Sequence, residues 1–131
     1  MIQLVHFNLA EFACKCGECD SDGSEMVPEF LYKLDDLRER CGFPFIVTSG
    51  YRCPAYNDRI ASTGRDGPHT TGQAADIGVA FGQAYLLLMQ AMRAEHFSGI
   101  GINQKGETRK RFVHLDTLPA TGNNRPRVWT Y

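Results

Sequence analysis

Two histidines in this chain stand in company that suits metal chemistry. His69 opens the run His69-Thr70-Thr71-Gly72-Gln73-Ala74-Ala75-Asp76, and His114 sits within Phe112-Val113-His114-Leu115-Asp116. Two imidazoles and a carboxylate make a three-ligand zinc site whose fourth position holds water, the open arrangement that a hydrolytic metal needs. Such ligands have to come from separate strands and loops, so the site is one made by the fold. Taken singly, each histidine is better explained as a hydrogen-bonded core or surface residue than as a ligand. Alternate residues of a strand share a face, so Asp116 points to the side of His114, whereas Arg111, three positions earlier, points away. Asp116 is therefore the candidate either to act as general base or to orient a ligand histidine from behind. Glu107, in a polar turn, is the second candidate for the base.

The five cysteines, Cys14, Cys16, Cys19, Cys41 and Cys53, are an odd number, so they cannot all pair within the chain. Cys14, Cys16 and Cys19 crowd together, but no second Cys or His pair follows at zinc-finger spacing. A structural metal, a disulfide from this segment to Cys53 or Cys41, and reduced thiols in a tight loop all remain open.

The elements that must position these residues fit one domain spanning residues 1–131, a length that leaves little room for a second of ordinary size. Residues 1–25 read as an irregular arm that carries the cysteine cluster. From Val27 the apolar positions Phe30, Leu31, Leu34, Leu37 and Cys41 recur at helical spacing, with Pro28 at the start and Gly42 as a stop. Residues 45–48 form a β-prone run, 54–62 a short helix begun by proline, and 63–68 a loop. Residues 74–79 return as a strand and 82–96 as an amphipathic helix. Residues 99–102 and 111–116 flank a polar turn as a hairpin, and 127–131 make a last strand. Helices early and antiparallel strands late predict an α+β fold, an antiparallel sheet with helices packed on one side.

Composition excludes several classes. Hydrophobic residues at 43% and charged residues at 22% describe a globular chain. A net charge of −1 argues against a general nucleic-acid binder, which needs a basic surplus. No apolar stretch reaches the roughly 20 residues of a membrane span. The first eight residues lack a basic segment followed by a sustained apolar one, so no secretory signal is visible.

The order Ser49-Gly50-Tyr51-Arg52, then His69-Thr70-Thr71-Gly72-Gln73-Ala74-Ala75-Asp76-Ile77, then Val113-His114-Leu115-Asp116 resembles the zinc D-Ala-D-Ala carboxypeptidase family. That family includes phage L-alanyl-D-glutamate endolysins and shares its fold with the hedgehog signalling domain. The resemblance covers residues 27–131. It implies zinc held by His69, Asp76 and His114, a substrate carboxylate held by Arg52 with Tyr51 beside it, and a Gly72 that lets backbone pass close to the metal. It also implies a monomeric peptidase of peptidoglycan stem or cross-link peptides. Together with the missing signal, it suggests a phage lysin made in the cytoplasm and released to the wall through a separate pore. Two positions depart from the family pattern. Arg111 stands where many members carry the catalytic carboxylate, and Gly67 stands where many carry Ser. The competing readings are a non-catalytic zinc module of the same fold that binds wall or protein, and a cysteine-cluster redox or interaction protein.

Overall fold

The computed structural model describes residues 2–131. Helix α1 spans Pro28–Cys41 and buries Phe30, Leu31, Leu34 and Leu37 on one stripe. Pro28 supplies a pre-set φ in the first turn, and Gly42 ends the helix in the left-handed region at φ 76°, donating its N–H to Arg38. Strand β1 (Ile46–Ser49) follows, then helix α2 (Pro54–Ile60), which stops two residues short of the expected end because Ala61 is extended. A single 3-10 turn, Pro68–Thr71, carries His69. Strand β2 (Ala74–Gly78), helix α3 (Phe81–Ala94), strand β3 (Gly99–Asn103), strand β4 (Phe112–Asp116) and strand β5 (Arg127–Thr130) complete the chain.

The five strands lie in the order β1-β2-β4-β3-β5. Four of them are antiparallel neighbours as expected, but β5 runs parallel to β3, so the sheet is mixed. The reason is positional. Both edges of β4 are already taken by β2 and β3, so the chain leaving Asp116 reverses through residues 117–126 and takes the free edge of β3. Reversal relative to β4 makes it parallel to β3.

The pleat then sorts the residues onto two faces. Val47, Ala75, Ile77, Ile100, Val113 and Leu115 point to one side and join α1 and α3, through Leu34, Leu37, Ala84, Leu87 and Ala91, in a single core. The opposite side carries Asp76, His114 and Asp116. The arm is less irregular than its composition suggests. It makes a 3-10 turn at Leu9–Phe12, and Phe7 and Phe12 enter the core with ring centroids 5.3 Å apart. Asp35 of α1 accepts the Val5 and His6 N–H groups at 2.8 and 3.0 Å, which ties the arm down.

Candidate active site

Register places the ligands. Asp76 on β2 is the direct cross-strand partner of His114 on β4, and Ala74 is the partner of Asp116. In an antiparallel pair, residues directly opposite hold their Cβ atoms close on one face, so Asp76, His114 and Asp116 converge without any loop being involved. His69 arrives from the 3-10 turn, whose following residue Gly72 takes φ 76°. The close approach at Gly72 is to the arm and not to the metal side, because a Cβ there would run into the backbone of Glu25 and Met26.

The three ligand atoms lie within 4.8 Å of one another, and all three side chains are buried. His69 Nε2 is 3.3 Å and His114 Nδ1 3.0 Å from the same oxygen, Asp76 Oδ1. The other ring nitrogens are spoken for: His69 Nδ1 donates to the Gly50 carbonyl at 2.8 Å, and His114 Nε2 donates to Asp116 Oδ2 at 2.8 Å. A carbonyl and a carboxylate only accept, so the outer nitrogens carry protons, and a metal taking the inner nitrogens would meet their lone pairs in the neutral rings. Two such nitrogens and a carboxylate oxygen are a donor set that fits a divalent cation of zinc's type.

The buried groups of the site are strongly coupled electrostatically. Burial alone would raise the Asp76 carboxyl, but His69 and His114 outweigh it and hold the group well below the usual carboxylate range. Burial disfavours a charged His114, yet the Asp116 and Asp76 carboxylates more than offset that and push its pKa up. Asp116 is fully buried and is nonetheless drawn down to about 2, because His114 and Arg125 outweigh its desolvation. Arg125 grips it with a fork, Nε to Oδ1 at 2.9 Å and a terminal nitrogen to Oδ2 at 2.7 Å. Both carboxylate oxygens are therefore engaged. Gly99, the cross-strand partner of Asp116 on β3, makes the space, since a Cβ there would fall on the carboxylate.

The arginine from the Ser-Gly-Tyr-Arg run lies against the same centre. Its Nε donates to Ser49 Oγ at 2.9 Å, and its terminal nitrogens reach Asn57 Oδ1 at 3.1 Å and Asp76 Oδ2 at 3.4 Å. A cleft of about 960 Å³ opens over the site, lined by Arg52, His69, Asp76, His114, Arg125 and Trp129 among others.

A family model described as Peptidase M15 matches residues 5–116, a span that holds Arg52, all three ligands and Asp116. The chain belongs to the Peptidase M15 family. No curated protein matches it. With the His-Asp-His triad in place, this M15 peptidase is a zinc-dependent enzyme directed at peptidoglycan. Among the described residues no helix is long and apolar enough to cross a membrane.

The M15 site brings some sequence candidates together and leaves others out. His69, Asp76, His114, Asp116 and Arg52 converge. Tyr51 does not line the cleft; it is half-buried against the core, since neighbours in an extended segment face opposite ways and Arg52 takes the cleft side. Arg111 turns outward, its guanidinium 5.1 Å over the Phe81 ring and bonded to the Gly106 carbonyl. Glu107 is exposed, pairs with Arg109 at 2.9 Å and does not line the cleft. Gly67 is required by its neighbours, because a Cβ would come within 2.8 Å of Asn57 Nδ2 and onto Thr63.

Four contributors to the M15 site escaped the sequence reading. Asn57, almost fully buried, accepts from Arg52 while its amide nitrogen donates to Thr63 Oγ1 and the Gly64 carbonyl. Arg125, Trp129 and Tyr131 come from the segment around β5 and line the cleft. Trp129 lies 5.1 Å from the His114 ring, with the Arg125 guanidinium 5.0 Å over its own ring. The alternation of Arg127, Trp129 and Tyr131 was the available signal for the two aromatics, because period two puts these residues on one side of a strand, whereas Arg125 lies in the loop before β5.

Proposed function

We propose that this M15 peptidase cuts an amide bond adjacent to a free carboxylate in a peptidoglycan stem or cross-link peptide. The observation that carries this reading is the placement of Arg52 against Asp76, within the cleft that exposes the triad. A guanidinium has five N–H donors, and the bonds to Ser49, Asn57 and Asp76 engage one on each nitrogen. One donor on each terminal nitrogen is left over, a fork matched to a carboxylate. A peptide held there has its nearest amide beside the ligand that Arg52 itself touches.

Zinc, when bound, supplies a Lewis acid for the amide carbonyl and makes water more acidic. The rest is the work of the chain. Gly50 and Asp116 hold the outer ring protons of His69 and His114, so both inner nitrogens stay available to metal. Arg125 keeps Asp116 anionic, and with both oxygens committed Asp116 serves as a positioning residue for His114. Tyr131, whose phenol pKa is raised chiefly by burial, stays protonated near neutral pH and offers an O–H donor to the cleft. Every one of these groups comes from a single chain, so a monomer is sufficient. The place of action is the cell wall, where such a substrate lies.

The test is digestion of purified peptidoglycan with zinc-loaded protein, following free amino groups and muropeptide masses. Release of D-Ala alone marks a carboxypeptidase, and new internal amino groups mark an endopeptidase. An Arg52→Lys variant should keep its zinc and lose turnover through a higher KM, by about tenfold for one charge-assisted hydrogen bond. No new amino groups from fully loaded protein, or unchanged kinetics in the Arg52→Lys variant across several wall peptides, would overturn the reading.

A further inference from the structure

We propose that Cys14, Cys16, Cys19 and Cys53 form a second, structural zinc site that fastens the N-terminal arm to the loop carrying Arg52. The four Sγ atoms lie within 4.8 Å of one another, forming a cluster separate from the His-Asp-His triad. Tetrahedral zinc with thiolate bonds of about 2.3 Å sets sulfur–sulfur edges of about 3.8 Å, and Cys16 Sγ stands 4.0 Å from Cys53 Sγ. All four are free thiols, so no sulfur is already consumed by a disulfide.

The backbone around the cluster is arranged for thiolates. Cys16 Sγ accepts the N–H groups of Glu18 and Cys19, each at 3.3 Å, and Cys14 Sγ accepts the N–H of Cys53 at 3.3 Å. Amide donors aimed at sulfur stabilise the charged form, which is the form that binds metal. Gly17 makes the tight reversal possible at φ 75°, turning the amides of residues 18 and 19 back onto Cys16. Lys15, between two of the cysteines, sends its ammonium away to the Val47 carbonyl at 3.3 Å and does not neutralise the group. Four sulfurs in this arrangement select a soft divalent ion, which would deprotonate and neutralise them on binding.

The fourth ligand is supplied by the fold, 39 residues along the chain from Cys14. Tyr51 N–H donates to the Phe12 carbonyl at 2.8 Å, and Gly50 lies so close to the Phe12 backbone that a Cβ would come within 2.6 Å of it. That contact brings Cys53 to the arm. Cys53 is also the N-cap of α2, the helix of Asn57, and follows Arg52 directly. A metal at this point holds the segment that aims the carboxylate-binding fork.

Metal analysis of the full-length protein should give two zinc ions per chain. A Cys16→Ser/Cys19→Ser variant should hold one and bind substrate with a raised KM. His114→Ala should also hold one, and with cobalt in place of zinc it should show the near-ultraviolet sulfur-to-metal bands of a tetrathiolate. Because the cysteine variant can fail to fold, wild-type protein provides an independent reading. Four thiols should resist a thiol reagent until a chelator removes zinc, with Cys41 reacting independently of the chelator. One zinc per chain with all four thiols reactive from the start would overturn the proposal, and so would a mass lowered by two hydrogens for each disulfide formed among them.

Discussion

The His69–Asp76–His114 cluster and the cysteine cluster differ first in what holds their ligands in place. Asp76 and His114 are opposite one another on paired strands, their rings and carboxylates are buried, and each outer nitrogen has an acceptor behind it. The sheet fixes that geometry before any metal binds. The cysteines sit on a loop of the arm and at a helix N-cap, three half-buried and one exposed, and what joins the two segments is a few backbone contacts. There the metal itself completes the structure. A preorganised site uses metal for chemistry and can release it without collapse, whereas a loop-built site couples metal to local folding.

Removing one ligand from each cluster breaks that contrast most sharply. His114→Ala should lose the triad zinc and cut hydrolysis by about 10³-fold or more, the scale of several kcal/mol of lost transition-state stabilisation. Its circular dichroism and its cysteine-bound zinc should be unchanged, because the β2–β4 ladder does not depend on that side chain. A folded His114→Ala protein that still hydrolyses wall peptides at the wild-type rate would show that the triad is not the reactive centre.

Asp116→Asn tests how the preorganisation is achieved and has a smaller expected effect. As a positioning residue behind His114, its loss should weaken zinc binding by about 10- to 100-fold, and excess zinc should restore much of the activity. A general base would behave differently: zinc affinity would be kept, and activity would fall about 10²-fold or more with no rescue. Zinc titration read beside kcat separates the two. The substitution also leaves Arg125 without its buried counter-ion, so a lower Tm should accompany it.

The triad was legible in the sequence through the family resemblance that its short motifs carry, and strand alternation alone placed Asp116 with His114 and turned Arg111 away. Alternation applied to residues 127–131 would have found Trp129 and Tyr131 as well, whereas Arg125 lies in the loop before β5, where period two carries no information. Tyr51 and Arg52 illustrate the limit of reading neighbours together, since an extended segment sends them to opposite sides. The cysteine cluster was visible as three residues without a partner. Its fourth member depends on the Phe12–Tyr51 contact, a tertiary fact that no local spacing encodes. The same holds for β5, whose parallel pairing follows from which sheet edges earlier strands had already filled, and for the arm, whose Phe7 and Phe12 are buried only once Phe45 and α1 are in place.

Glycine substitutions probe the comparison at its finest grain. Gly99 adjoins Asp116 on the sheet, and an added methyl would meet a carboxylate pinned by both His114 and Arg125. Gly17 lies in the cysteine loop, where an added methyl meets nothing within 4 Å and the only obstacle is the left-handed φ of 75°. That conformation costs an L-residue about 1–2 kcal/mol, so Gly17→Ala should lower Tm by a few degrees. Zinc content should stay at two ions per chain, because four thiolate bonds hold the loop against a strain of that size, and hydrolysis should be unchanged, because the triad's geometry comes from the sheet. Calorimetry with and without chelator reads the balance directly: the Tm difference between Gly17→Ala and wild type should be present in both conditions. Loss of the second zinc in Gly17→Ala would mean that the loop, and not the metal, sets the cysteine geometry, and the contrast between the two clusters would fail.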